Sequence, residues 1–205
     1  MNKLRALYEE APRALPFAQG YLQYLSEIFL RLDGEAIASF IDAMDQARQR
    51  GAQIFFMGNG GSASTASHFV LDLAIGCQGA KPFRALSLTD NLAVMSAIGN
   101  DLGYDEIFVC QLQTYLHPGD VVVAISASGN SPNVVKALEY AKERGAVTIA
   151  LTGFDGGKLK QVAQIAVHVP TNKGEYGPVE DIHLIMDHLV SSFFRNLCRE
   201  ERTGL

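Results

Sequence analysis

The side chains able to do chemistry fall into two helical stretches and two loops. His68 and Asp72 are four residues apart in a segment that reads as a helix, so they share one face. Glu180, Asp181, His183, Asp187 and His188 crowd a second helical stretch near the C-terminus. An imidazole held beside a carboxylate can move protons at a carbon next to a carbonyl, which is general acid–base chemistry. The same groups can ligate a divalent ion that polarises the oxygens. His68 lies just past a glycine-rich loop and should face whatever that loop binds. The charge pattern places Asp181 and Asp187 on a solvated face. His117, beside Pro118-Gly119, reads as a turn residue and His168 as a strand residue, with no role for either.

The first loop is Gly58-Asn59-Gly60-Gly61-Ser62, between a short apolar run and a helix. Glycines let the backbone turn tightly, and the helix start offers free N–H groups and a positive dipole end to an anion. Ser62 is the expected N-cap. A dinucleotide fingerprint would need a third glycine at Ala63, and no Gly-Lys-Ser or Gly-Lys-Thr of a P-loop follows. The second loop is Ser126-Ala127-Ser128-Gly129-Asn130-Ser131, again between an apolar run and a helix that opens with Pro132. Neither loop carries a cation, so each would hold an anion by neutral donors and the helix dipole, which suits a phosphomonoester.

Strands and helices alternate along the chain around these groups. Five short apolar runs read as buried strands: 53–57, 83–88, 121–125, 147–151 and 165–169. Helical stretches separate them, at 63–75, 92–98, 107–116, 133–144 and 157–163, and a long helix runs from about Val179 to Arg199. Continuous apolar strands alternating with helices imply a parallel sheet covered on both faces. In such sheets ligands bind beyond the carboxyl ends of the strands, where both loops fall. Two helices fill residues 1–50; one carries Tyr21, Leu22, Tyr24, Leu25, Ile28, Phe29 and Leu30, and the other ends at Gly51.

Composition narrows the class. With 205 residues, 48% apolar and 19% charged, the chain should form one globular domain. A net charge of -5 with dispersed basic residues argues against nucleic-acid binding. No apolar run reaches the roughly 20 residues that span a bilayer, and the N-terminus lacks a secretory signal. Cys77, Cys110 and Cys198 read as packing thiols in a reducing cytoplasm.

The paired loops resemble those of the sugar isomerase (SIS) domain family, as do Ser87-Leu88-Thr89-Asp90, Gly99-Asn100-Asp101, Pro118-Gly119-Asp120 and Leu151-Thr152-Gly153-Phe154-Asp155-Gly156-Gly157. With helices ahead of the domain and a long one behind, the chain looks like the phosphoheptose isomerase branch. The resemblance implies a three-layer, flavodoxin-like α/β sandwich with a five-stranded parallel sheet, residues 1–205 forming a single domain and 1–50 a helical extension used in oligomerisation. It implies a ketose–aldose isomerase of a phosphorylated sugar, a cytoplasmic homotetramer. Asn59, Gly60, Gly61, Ser62, Asp90, Asn100, Asp101, Ser126, Ala127, Ser128, Ser131 and Glu180 would contact the substrate, with the serine loop on its phosphate. Asp72 would be the base and His188 the acid. His68, Asp72, Glu180 and His188 would hold a divalent metal, zinc, one per site and shared between subunits.

The chain departs from that pattern in three places. Asp72 stands for a Glu, Glu180 for a Gln, and Gly76 for an Arg that Lys81 or Arg84 would have to replace. Glu180 and His188 are also about 12 Å apart along a helix, far for one ion on one chain. Isomerisation of another sugar phosphate, or a non-catalytic role of the kind some relatives play as protein-binding tetramers, are the competing readings. The retained His68, Asp72 and His188 favour the enzyme.

Overall fold

Gln53–Gly58 is extended because Ile54, Phe55, Phe56 and Met57 must bury on both faces. Ile54 and Phe56 join one apolar cluster and Phe55 and Met57 another, as the two-residue strand period requires. This computed structural model describes residues 2–78 and 80–203. Five strands, β1 (Gln53–Gly58), β2 (Arg84–Ser87), β3 (Val121–Ser126), β4 (Val147–Thr152) and β5 (Ile165–His168), form one sheet in the order β2-β1-β3-β4-β5. Every pairing is parallel. The five-stranded α/β sandwich expected from the sequence is the observed fold.

One layer consists of α3 (Gly34–Arg50), α4 (Gly61–Gly76) and α9 (Tyr176–Thr203). The other holds α5 (Leu92–Asp101), α6 (Val109–Tyr115), α7 (Pro132–Glu143) and α8 (Gly157–Val162). Phe40 and Met44 of α3, Phe69 and Leu73 of α4, and Ile182 and Met186 of α9 all enter the first cluster. Residues 34–50 therefore pack as part of this layer of the sandwich.

The N-terminal segment contains one helix more than expected. Ala11 precedes Pro12 and is extended at φ -148° and ψ 88°, because a residue before proline is driven out of the helical region. The break separates α1 (Lys3–Glu10) from α2 (Ala14–Phe29). Tyr24 and Ile28 of α2 are buried, while Leu22 and Leu30 are exposed. Gly51 closes α3 in the left-handed region at φ 70°, as the sequence suggested.

The cysteines differ from expectation. Cys77 at the end of α4 and Cys198 in α9 are joined by a disulfide, and Cys110 alone is free. Pairing two residues 121 positions apart depends on helix docking, which no local spacing reveals. The bond fastens α4 to α9, the two helices that carry the ionisable cluster.

Candidate active site

Both glycine- and serine-rich loops end at the carboxyl edge of the sheet and wall a pocket of about 150 Å³. The first loop turns at Gly60, which has φ 55° and ψ -123° and is the N-cap of α4. Ser62 lies inside the first turn of that helix instead of capping it, and is 5% exposed. Gly58 is required by closeness: a Cβ there would stand 2.7 Å from the carbonyl oxygen of Ser62. The second loop gathers hydroxyls over the start of α7. Ser126 Oγ lies 3.3 Å from Ser131 Oγ and 3.5 Å from Ser128 Oγ. Ser131 is the N-cap and Pro132 the first helical residue, as expected.

Asn59 joins the two loops. Its side-chain amide and that of Asn133 donate to each other's oxygens at 2.9 Å, and Tyr104 donates to Asn59 Oδ1 at 3.0 Å. Two helix N-termini and at least three hydroxyls therefore converge without a cation, a setting for a phosphate monoester. Asn133, Tyr104 and Tyr176, which also lines this pocket, escaped the sequence reading because long-range contacts alone bring them here.

Glu180 enters the same pocket from α9. A Cβ on Gly61 would meet Glu180 Oε2 at 2.3 Å, so the bare glycine is what admits the carboxylate. Burial, and then the neighbouring Asp181, raise the Glu180 pKa. Three expected substrate contacts lie elsewhere in the protomer. Asp90 accepts from Ser67 and Thr89 beside β2, and exposed Asn100 donates to Asp101 at 2.7 Å at the end of α5.

The ionisable cluster sits further along α4 and α9. His68 Nε2 is 3.4 Å from His188 Nε2, 3.9 Å from Asp72 Oδ2 and 4.0 Å from Asp187 Oδ2. The ligand atoms of His68, Asp72, Asp187 and His188 all lie within 4.8 Å of one another. Three expected members are present, and Asp187 stands in the set where Glu180 was expected. Asp187 is also the clearest departure from the solvated face read in the sequence, being 0% exposed with neither oxygen hydrogen-bonded. Burial, and then Asp72, push its carboxyl up to about 7. Ser191, another unforeseen member, donates to Asp72 Oδ2 at 3.2 Å. Asp72 and Asp187 are one helical face each, and their meeting follows only from the docking of α4 on α9. Two imidazoles and two carboxylates around one point fit a divalent cation, because buried carboxylate oxygens without donors call for a counter-charge.

His183 does not join this cluster. It is buried, and its Nε2 lies 3.3 Å from the carbonyl oxygen of Thr152. Lys81 and Arg84 bond to the backbone carbonyls of Gln49 and Gly51, so neither takes the place of an arginine at position 76. Gly76 itself is buried against α9.

Comparison with known proteins bears on this geometry. A family model described as "SIS domain" matches residues 18–153. The phosphoheptose isomerase of Citrifermentans bemidjiense is 41% identical over 175 residues, covering 82% of this chain and 91% of that one. The phosphoheptose isomerase of Trichlorobacter lovleyi is 35% identical over 193 residues, covering 91% and 98%. Among solved structures, the phosphoheptose isomerase of Neisseria gonorrhoeae superposes with a TM-score of 0.75 at 32% identity, covering 85% of this chain and 90% of that one. That of Francisella tularensis gives 0.81 at 25% identity, covering 90% and 99%.

Proposed function

Because the chain belongs to the SIS domain family, in its phosphoheptose isomerase branch, we propose that it interconverts sedoheptulose 7-phosphate and D-glycero-D-manno-heptose 7-phosphate. The chain is a sugar-phosphate isomerase; the choice of heptose is the proposal. One observation carries it. The helices that start at the anion pocket, α4 and α9, also bring a carboxylate and two imidazoles together.

In this reading the hydroxyls of Ser62, Ser126, Ser128 and Ser131 and the starts of α4 and α7 hold the phosphate. Asp72 takes a proton from carbon 1 while His188 gives one to the oxygen on carbon 2, forming the 1,2-enediol. Asp72 then returns its proton to carbon 2, and the hydroxyl proton on oxygen 1 passes to His188. The aldehyde forms and both residues regain their starting states. His68, Asp72 and His188 would hold a divalent ion, zinc in this proposal, which would supply polarisation of the sugar oxygens.

A homotetramer belongs to the same reading. Leu22 on α2 and Leu30 at its C-cap, and Leu71, Ile75, Leu189 and Phe193 beside the cluster, are exposed apolar side chains of the kind obligate interfaces cover. So does a cytoplasmic location, since a phosphorylated sugar is charged and stays in the compartment where it is made. Among the described residues no helix is long and apolar enough to cross a membrane. A second reading, another sugar phosphate, is favoured by Glu180, whose carboxylate shares the anion pocket.

The test is to incubate the protein with sedoheptulose 7-phosphate and follow aldose formation by NMR, with zinc and with chelator. Turnover that stops with chelator supports both heptose and metal. Turnover indifferent to chelator keeps the isomerase and removes the metal. No aldose from protein that binds the sugar phosphate overturns the heptose assignment.

A further inference from the structure

Among the described residues Asp187 leaves both side-chain oxygens buried without a hydrogen bond, and His183 one ring nitrogen, Nδ1. Asp187 lies in the middle of α9 and is 0% exposed. A carboxylate in that position costs several kcal/mol unless a charge answers it. Among the described residues the basic nitrogen within 4.0 Å is His68 Nε2, itself 3.4 Å from His188 Nε2.

We propose that Asp187, and not Glu180, is the fourth protein ligand of the metal, so that His68, Asp72, Asp187 and His188 form a complete site within one protomer. This rests on the metal in the reading above but not on which sugar is isomerised. Glu180 is committed elsewhere: its carboxylate lies against Gly61 at the start of α4, eight residues and about 12 Å of helix before His188. Asp187 is adjacent to His188 in sequence and one turn before Ser191, which donates to Asp72 Oδ2 at 3.2 Å. Ser191 is thus a positioning residue for the site, fixing one carboxylate oxygen of Asp72. Tetrahedral zinc with bonds of about 2.0–2.2 Å has ligand–ligand edges of about 3.3–3.5 Å. The two imidazole nitrogens stand at 3.4 Å, the carboxylates at 3.9 and 4.0 Å from His68 Nε2, and all four ligand atoms lie within 4.8 Å of one another, so the site contracts to take the ion. His68 keeps 39% of its side chain exposed, which leaves a path for the ion to enter.

The ligand set also predicts preference. Two imidazoles and two carboxylates suit zinc, cobalt and manganese, and lack the thiolates that would select softer ions.

The experiment is metal binding by the full chain stripped with chelator and dialysed. Cobalt is titrated and followed by its visible d–d bands, and zinc by calorimetry. About one ion per chain is expected for the unaltered protein. Asp187→Asn should weaken binding about a hundredfold or more, and Ser191→Ala roughly tenfold. Glu180→Gln should leave affinity within about twofold while still altering phosphosugar binding. Thermal melting guards against a folding artefact: Asp187→Asn should melt no lower than the stripped parent and lose the rise that zinc confers. Equal affinity in Asp187→Asn, or a collapse of affinity in Glu180→Gln, overturns the proposal, as does a parent that binds no ion. Turnover is read separately, so an inactive but metal-binding protein would sink the heptose reading and leave this one standing.

Discussion

His188 Nε2 stands 3.4 Å from His68 Nε2 across the seam between α9 and α4. At that distance the two nitrogens can share one proton, or one ion, but each cannot hold its own hydrogen pointed at the other. The proposed function gives His188 the part of acid on the sugar oxygen. His188→Gln keeps a polar side chain and removes the titrating ring. Its kcat should fall by about 10²–10⁴-fold, while affinity for inorganic phosphate, held by the distant serine loop, changes little. Comparable losses in both would break the division of labour between the two parts of the site.

Gly129→Ala should disable the serine loop. Gly129 has φ 64°, and an added Cβ would stand 2.0 Å from the carbonyl oxygen of Gly156. The obstacle is backbone, so a side-chain rotation does not relieve it. A loss of roughly 2–4 kcal/mol in denaturant unfolding is expected, together with weaker phosphosugar binding in whatever fraction folds. Parent-like stability and affinity would mean that the close contact between the loops after β3 and β4 is dispensable.

His183 makes stability depend on pH in one direction. Burial lowers its pKa to about 4 from the ordinary 6.5. Between those values the unfolded chain takes a proton that the folded chain refuses, so stability rises with pH through this window. The contribution is complete above about pH 6.5 and is lost progressively toward pH 4, by roughly 3 kcal/mol in total. Subtracting the stability profile of His183→Leu from that of the parent should isolate this slope. A flat difference between pH 4 and 6.5 would show that the folded imidazole takes up its proton after all.

Reduction should loosen the seam that holds the cluster. The Cys77–Cys198 bond joins residues separated by 121 positions, and closing a loop of that size restricts the unfolded chain by about 5 kcal/mol in the chain-entropy model. Cys77→Ala with Cys198→Ala, or dithiol treatment after partial unfolding, should lower the melting temperature by a few degrees or more. Thiol counting on native protein isolated under alkylating conditions should find Cys110 alone. Three reactive thiols and an unchanged melting curve would remove the disulfide from the account of stability.

The local elements were legible because each is specified by residues close in sequence. Ile54 to Met57 read as a strand buried on both faces, the glycines of the two loops marked tight turns, and Pro132 opened α7 where a missing N–H does no harm. The anion loops followed, since phosphate binding by neutral donors is written in contiguous glycines and serines. His68, Asp72 and His188 followed from the family resemblance that the loop motifs carried. What the sequence could not decide was which face of α9 meets α4. A charge run looks solvated until packing closes over it, so Asp187 read as surface and is buried, and Ser191 was not read at all. Glu180 was expected at the metal through the resemblance, yet its carboxylate lies against the bare backbone of Gly61 in the anion pocket. The bond between Cys77 and Cys198 has the same origin. Each depends on the register in which two helices dock, a property of the pair that neither helix carries by itself.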